Sequence, residues 1–245
     1  MSKNTLLERP PFCTTPNIHW PFPHTQPAKL YLAATSFTRA HFTQTAFATW
    51  EISPPETLLT AVNKRQAEFL AGRICAKTVL SHMGIAHHTI NTDTERRPIW
   101  PSGIIGSITH THNIAAAIVA PADKYLAIGL DYEQIVTHSS LEELSGTILT
   151  TKERAFLKTQ RKNERHTYFS LVFSLKESLF KALNPITKVF FDFQAAQVMS
   201  LNHGQATLQL CIDLDATWRK GMQIKALYHH DQNRVKTLVL IAQNH

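Results

Sequence analysis

Cysteine is scarce in this chain of 245 residues: Cys13, Cys75 and Cys211 are odd in number, scattered and without CxxC spacing. That usage favours a reducing compartment and argues against a zinc ribbon. Long apolar runs are missing too; none approaches the roughly 20 residues needed to span a bilayer. The start, Met1-Ser2-Lys3-Asn4, reaches Pro10-Pro11 without the apolar stretch of a signal peptide. Low-complexity tracts and short repeats are absent as well. The chain therefore reads as cytoplasmic, with no membrane partner expected.

What is present fits a soluble globular protein, with 43% hydrophobic and 18% charged residues. Formal net charge is +7, which attracts acidic partners, whether nucleic acid, phosphorylated ligands or an acidic protein. Charge alone does not choose among them. Six of the twelve prolines fall within residues 10–27, so an irregular, extended arm is expected there. Residues 30–36 read as a first strand. Pro54-Pro55-Glu56 opens a helical pattern that runs to Met83-Gly84. Strand-like runs follow at residues 104–111 and 115–120, and a turn at Pro121-Ala122-Asp123 leads into a strand carrying Asp131.

The second half repeats this order: strand, a helical segment over 140–167, a long helix over 168–183, then strands at 206–212, 223–229 and 235–242. The expected fold class is α+β, in two similar halves meeting near residues 120–126. The domains are the arm 1–27, an N-terminal half 28–122 and a C-terminal half 123–245.

Ile128-Gly129-Leu130-Asp131-Tyr132-Glu133 places two carboxylates two residues apart on a strand, so their side chains share a face. The plain alternative is two acids on the solvent side of an edge strand. Gly129 on the same face complicates that alternative, because glycine in a strand often marks close approach of a ligand or backbone. In Phe173-Ser174-Leu175-Lys176-Glu177-Ser178-Leu179-Phe180-Lys181, Glu177 and Lys181 lie one turn apart, opposite an apolar stripe. They could be an ordinary solvated pair, but the flanking Phe173 and Phe180 suggest a partly covered cleft. Three carboxylates with lysines beside them describe a magnesium–phosphate site, since a hard divalent ion prefers carboxylates, water and phosphate oxygens.

Ser107-Ile108-Thr109-His110 ends a strand where hydroxyl, imidazole and backbone N–H groups could meet a phosphate. Zinc binding by His110 and His112 is disfavoured, as no further ligand stands at the needed spacing. Arg65 and Arg73 sit eight residues apart on one helix and could reach one phosphorylated ligand. Residues 152–165 hold six basic and two acidic side chains, a solvated helix face or a docking surface for an acidic partner.

In this order, Arg65…Gly72-Arg73, Arg97-Pro98…Trp100-Pro101, Gly106-Ser107-Ile108-Thr109-His110, Gly129-Leu130-Asp131-Tyr132-Glu133 and Lys176-Glu177…Lys181 resemble the 4'-phosphopantetheinyl transferases of the two-half surfactin and enterobactin type. The enterobactin synthetase component D subgroup is the nearest match, with Thr111 where that subgroup often has cysteine. The resemblance implies a pseudo-twofold α+β monomer with its active site between the halves. It implies transfer of the phosphopantetheine arm of coenzyme A to a serine of an apo acyl or peptidyl carrier protein, an acidic partner, with release of 3',5'-ADP. By the same resemblance Asp131, Glu133 and Glu177 would hold Mg²⁺, and Glu177 would be the base for the serine. Lys181 would serve the departing phosphate, Lys176 would grip the pyrophosphate, and Arg97, Thr109 and His110 would hold adenosine and the 3'-phosphate. Arg65 and Arg73 would add ligand contacts. The rivals are a coenzyme A-binding homologue without transfer and a basic nucleic-acid-binding protein, the latter opposed by the lack of any nucleic-acid motif.

Overall fold

The computed structural model describes residues 11–85 and 89–243; the first ten residues of the expected arm and the last two of the C-terminal half lie outside them. The strands are β1 (Asn17–Ile18), β2 (Tyr31–Ser36), β3 (Ile104–His110), β4 (Ile114–Pro121), β5 (Tyr125–Gln134), β6 (Ala196–Asn202), β7 (Gln205–Leu210), β8 (Gln223–His230) and β9 (Arg234–Ala242). The helices are α1 (Thr45–Thr49), α2 (Glu56–Leu59), α3 (Asn63–His82), α4 (His138–Ile148), α5 (Thr151–Thr159) and α6 (Lys162–Thr187). They build two antiparallel sheets, β1-β2-β4-β3 and β5-β9-β8-β7-β6, and the chain changes sheet between Pro121 and Tyr125.

Each sheet carries one long helix. Ala67, Leu70, Ala71, Ile74 and Cys75 of α3 pack with Ala33, Ala115, Ala117 and Val119 of the first sheet. Val172, Leu175, Leu179 and Leu183 of α6 pack with Ala206, Leu208, Ala226 and Val239 of the second. A third cluster joins the halves, with Leu32, Ala116 and Ile118 from one sheet against Ile128, Leu130, Tyr132 and Leu238 from the other. Phe22 of the arm enters this cluster, and His24 Nε2 lies 2.9 Å from the His203 carbonyl oxygen. The described part of the arm therefore spans both halves.

Several boundaries differ from the sequence reading. The helical pattern from Glu56 is two helices, broken at residues 60–62, with Val62 extended ahead of α3. The segments 140–167 and 168–183 divide instead at extended residues 149–150 and again at 160–161, so they form three helices, and α6 begins at Lys162 and runs through Pro185. Strands β1 and β6 and helix α1 are additions, β1 being a stretch of the arm that pairs with β2. The solvent-face alternative for the acids does not hold: β5 is an edge strand of its sheet, yet residues 127–132 are all buried. They face α6 on one side and the N-terminal half on the other.

Candidate active site

The site forms where the edge strands β3 and β5 of the two sheets face each other. An edge strand leaves backbone donors unpaired, and here side chains of β3 meet them. Ser107 Oγ accepts from Leu130 N–H at 3.0 Å, and Thr109 Oγ1 accepts from Tyr132 N–H at 3.2 Å. On the other face of β5, Gly129 touches α6: a Cβ at this position would overlap the Ser178 carbonyl oxygen. The glycine of the motif thus serves close backbone approach. It brings Asp131, next on the same face, against Ser174, whose hydroxyl donates to Asp131 Oδ2 at 2.7 Å.

Asp131 is 2% exposed. Its Oδ1 accepts from Lys181 Nζ at 2.6 Å and from Thr109 Oγ1 at 3.1 Å. Glu133 and Glu177 are half-buried close by. Burial, with the negative charges of Asp131 and Glu177, pushes the Glu133 carboxyl up to about 8, against the opposing pull of Lys181. Burial also raises Glu177; Lys181 opposes this and Asp131 adds to it. Three acids share one close ammonium, and the raised proton affinities of Glu133 and Glu177 are the electrostatic sign of missing positive charge. A hard divalent cation suits this all-oxygen donor set. Among the described residues no three ligand-type side chains already converge on one point, and the Lys181 ammonium stands beside Asp131.

Next to this cluster a groove of about 600 Å³ runs between α3 and the 92–98 loop, lined by Lys64, Arg65, Glu68, Arg73, Arg96 and His110, among others. Lys64, Arg65 and Arg96 are exposed and have no carboxylate partner among the described residues. Arg73 is buried, with Nε donating to Ile90 O at 3.0 Å and the guanidinium carbon 4.6 Å from the Phe69 ring centroid. Burial pushes it down to about 10, so it remains a cation at neutral pH. Burial lowers the His110 imidazole below its ordinary value, while nearby Glu68 works the other way; a lowered value leaves a neutral ring that offers a single N–H. An apolar pocket of about 270 Å³ opens on the other side, lined by Thr147, Lys176, Glu177, Phe190, Phe191 and Phe193 among others.

The structure thus gathers Asp131, Glu133, Glu177 and Lys181, and it sets Arg65, Arg73 and His110 along the groove. Three other expected ligand contacts are engaged by protein groups. Lys176 is 3% exposed, and its ammonium donates to Glu153 Oε2 at 2.7 Å and Ile148 O at 2.8 Å, away from the cleft. Thr109, also 3% exposed, spends its hydroxyl on Asp131 and the Tyr132 amide. Arg97 pairs with Asp93 at 2.7 Å and Glu95 at 2.8 Å. Its neighbour Arg96 lines the groove instead. The turn explains this swap: Asp93 Oδ1 accepts from the amides of Glu95 and Arg97, and Arg96 takes φ 65°. The Arg-Arg pair was visible in the sequence, but not which arginine the turn would direct to the groove. Glu68 and Glu153 were likewise missed.

A two-sheet α+β chain with a carboxylate–lysine cluster between its halves and a cationic groove alongside is built for a phosphorylated ligand. The profile of the 4'-phosphopantetheinyl transferase N-terminal domain matches residues 54–120, and that of the 4'-phosphopantetheinyl transferase superfamily matches residues 127–238. The chain belongs to this superfamily, whose members transfer 4'-phosphopantetheine from coenzyme A to carrier proteins. It is 33% identical to enterobactin synthase component D of Salmonella typhi over 185 residues, 75% of each chain. It is also 33% identical to the 4'-phosphopantetheinyl transferase Npt of Nocardia iowensis over 148 residues, 59% of this chain and 64% of that one. The holo-[acyl-carrier-protein] synthase structure from Thermotoga maritima aligns with a TM-score of 0.39 at 20% identity, covering 49% of this chain and 65% of that one.

Proposed function

We propose that the chain is a Mg²⁺-dependent, cytoplasmic, monomeric transferase of the enterobactin type. It modifies a serine of an apo peptidyl or acyl carrier protein for siderophore or other nonribosomal peptide synthesis. The names of its relatives support that carrier class.

Asp131, Glu133 and Glu177 would hold Mg²⁺, which when bound neutralises pyrophosphate charge and polarises the phosphorus under attack. Glu177 takes the proton of the carrier serine hydroxyl, which is a poor nucleophile at its own pKa. The serine oxygen bonds to the β-phosphorus as the bond to the bridging oxygen breaks, and 3',5'-ADP departs. Lys181 stabilises the charge that develops on the departing α-phosphate. Arg65, Arg73, Arg96 and His110 receive the 3'-phosphate and adenosine, supported by the run of unpaired cations along the groove. The phenylalanine-lined pocket beside Glu177 suits the carbon-rich pantetheine arm.

Carrier approach is supported by the exposed Lys152, Arg154 and Lys158 of α5 around Phe156, which is 51% exposed, whereas Leu157 is buried. Such rim charges would steer an acidic partner. The single observation that carries the reading is the buried Asp131 with Lys181, Glu133 and Glu177 around it, beside a cationic groove. The test is incubation with coenzyme A and an apo carrier, with and without Mg²⁺, followed by mass spectrometry. A phosphopantetheine mass gain on the serine only with metal supports it; no gain, or a gain unaffected by chelation, overturns it.

A further inference from the structure

Glu153 is 2% exposed and makes more contacts than a helix cap requires. With Thr150 it forms the reciprocal capping box of α5, accepting from Thr150 N–H at 2.7 Å through Oε2. The same Oε2 accepts from Lys176 Nζ on α6 at 2.7 Å, and Oε1 accepts from Val198 N–H on β6 at 2.7 Å. Lys176 Nζ also donates to Ile148 O, the last residue of α4. One buried ion pair therefore joins α4, α5, α6 and β6. A buried pair of this kind is seldom more stabilising than apolar residues of similar volume, because its desolvation cost is large. What it supplies here is geometry, since directional hydrogen bonds hold four elements in register.

The site of that junction is what matters. Lys176 immediately precedes Glu177, and both line the apolar pocket together with Thr147 from α4 and Ala196 from β6. Those wall residues flank the groups that the pair fastens: Thr147 precedes Ile148, and Ala196 lies two residues before Val198. We infer that Glu153 is a positioning residue for the transfer reaction, acting through Lys176 to fix the turn of α6 that presents Glu177 and the wall of the pocket beside it. This rests on the reading of Glu177 as the group that takes the serine proton. It gives Lys176 a role distinct from a pyrophosphate contact.

The test compares Glu153→Gln, Lys176→Met and the double variant with wild type, using coenzyme A and an apo carrier. Turnover is expressed per folded molecule by near-ultraviolet circular dichroism, well below the melting temperature. Loosening a catalytic group by about 1 Å can cost ~10²-fold, so each single variant should lose about tenfold or more in kcat, with KM for coenzyme A within about twofold. The double variant should be no worse than the poorer single, because residues acting as one unit are not additive. Glu177→Gln is measured alongside. Full kcat per folded molecule in Glu153→Gln, with Glu177→Gln inactive, overturns the positioning role alone. Activity retained in Glu177→Gln overturns the reading on which it rests. A rise in KM for coenzyme A confined to Lys176→Met, with kcat kept, would make Lys176 a ligand contact and overturn the inference.

Discussion

Lys181 Nζ stands 2.6 Å from Asp131 Oδ1, joining the C-terminal part of α6 to the acidic end of β5 within the C-terminal half. With its side chain 27% exposed, the lysine is anchored on its inner side and open to ligand on the other. A group placed to meet charge that develops on departure acts on kcat, not on ground-state binding. Lys181→Ala should lower kcat by about 10²-fold, as for removal of one preorganised electrostatic contact, with KM for coenzyme A little changed. Steady-state kinetics check this, and a change in KM alone contradicts the leaving-group role.

Gly129→Ala should be severely destabilising. Its Cβ would meet backbone of Ser178 and Ala182, which cannot rotate aside as a side chain could. Forcing α6 from β5 should cost at least the ~1–3 kcal/mol typical of overpacking, read as a lower urea midpoint. Because Asp131 and Ser174 face each other across the same crossing, transfer should fall in whatever fraction still folds.

Glu133 gives the metal-free protein a pH signature. Its folded pKa, about 8, lies above the ordinary 4.5, so the folded state binds this proton more tightly than the unfolded chain. Linkage then makes stability fall as pH rises between these two values and level off above the upper one. In chelator-treated protein the melting temperature should decline from about pH 5 to about pH 8, and Glu133→Gln should flatten part of that decline. An unchanged slope in the variant would contradict the account of Glu133.

The proposed contacts to the 3'-phosphate would separate the groove from the acidic cluster. Arg96→Ala and His110→Ala should each raise KM for coenzyme A about tenfold, the loss expected for one hydrogen bond to a charged group. With 3'-dephospho-coenzyme A, each variant should match wild type. An equal loss on both donors would place these residues with the adenine or the fold instead.

The acidic cluster was legible because its spacing is local. Strand alternation aligns Gly129, Asp131 and Glu133, and one helical turn aligns Glu177 with Lys181. The burial of Lys176 was not legible because its partner Glu153 lies 23 residues earlier, and nothing in the periodicity of α6 reveals a buried acid on that side. Thr109 was visible as a hydroxyl near His110, but its use by Asp131 and the Tyr132 amide depends on two sheets meeting edge to edge. Strand β6 escaped notice because Gln197, Ser200 and Asn202 give it the polar character of an edge. The break before α6 has no glycine or proline to mark it, so two helical stretches were divided at the wrong place.

The most direct measurement of the central claim is divalent-ion binding in the presence of coenzyme A, with Mn²⁺ as the paramagnetic probe in electron paramagnetic resonance. The account predicts stoichiometric Mn²⁺ binding by the wild-type protein with coenzyme A, displaced by Mg²⁺. It also predicts loss of that binding in Asp131→Asn, Glu133→Gln and Glu177→Gln, each folded by circular dichroism. Undiminished Mn²⁺ binding in all three variants would contradict it.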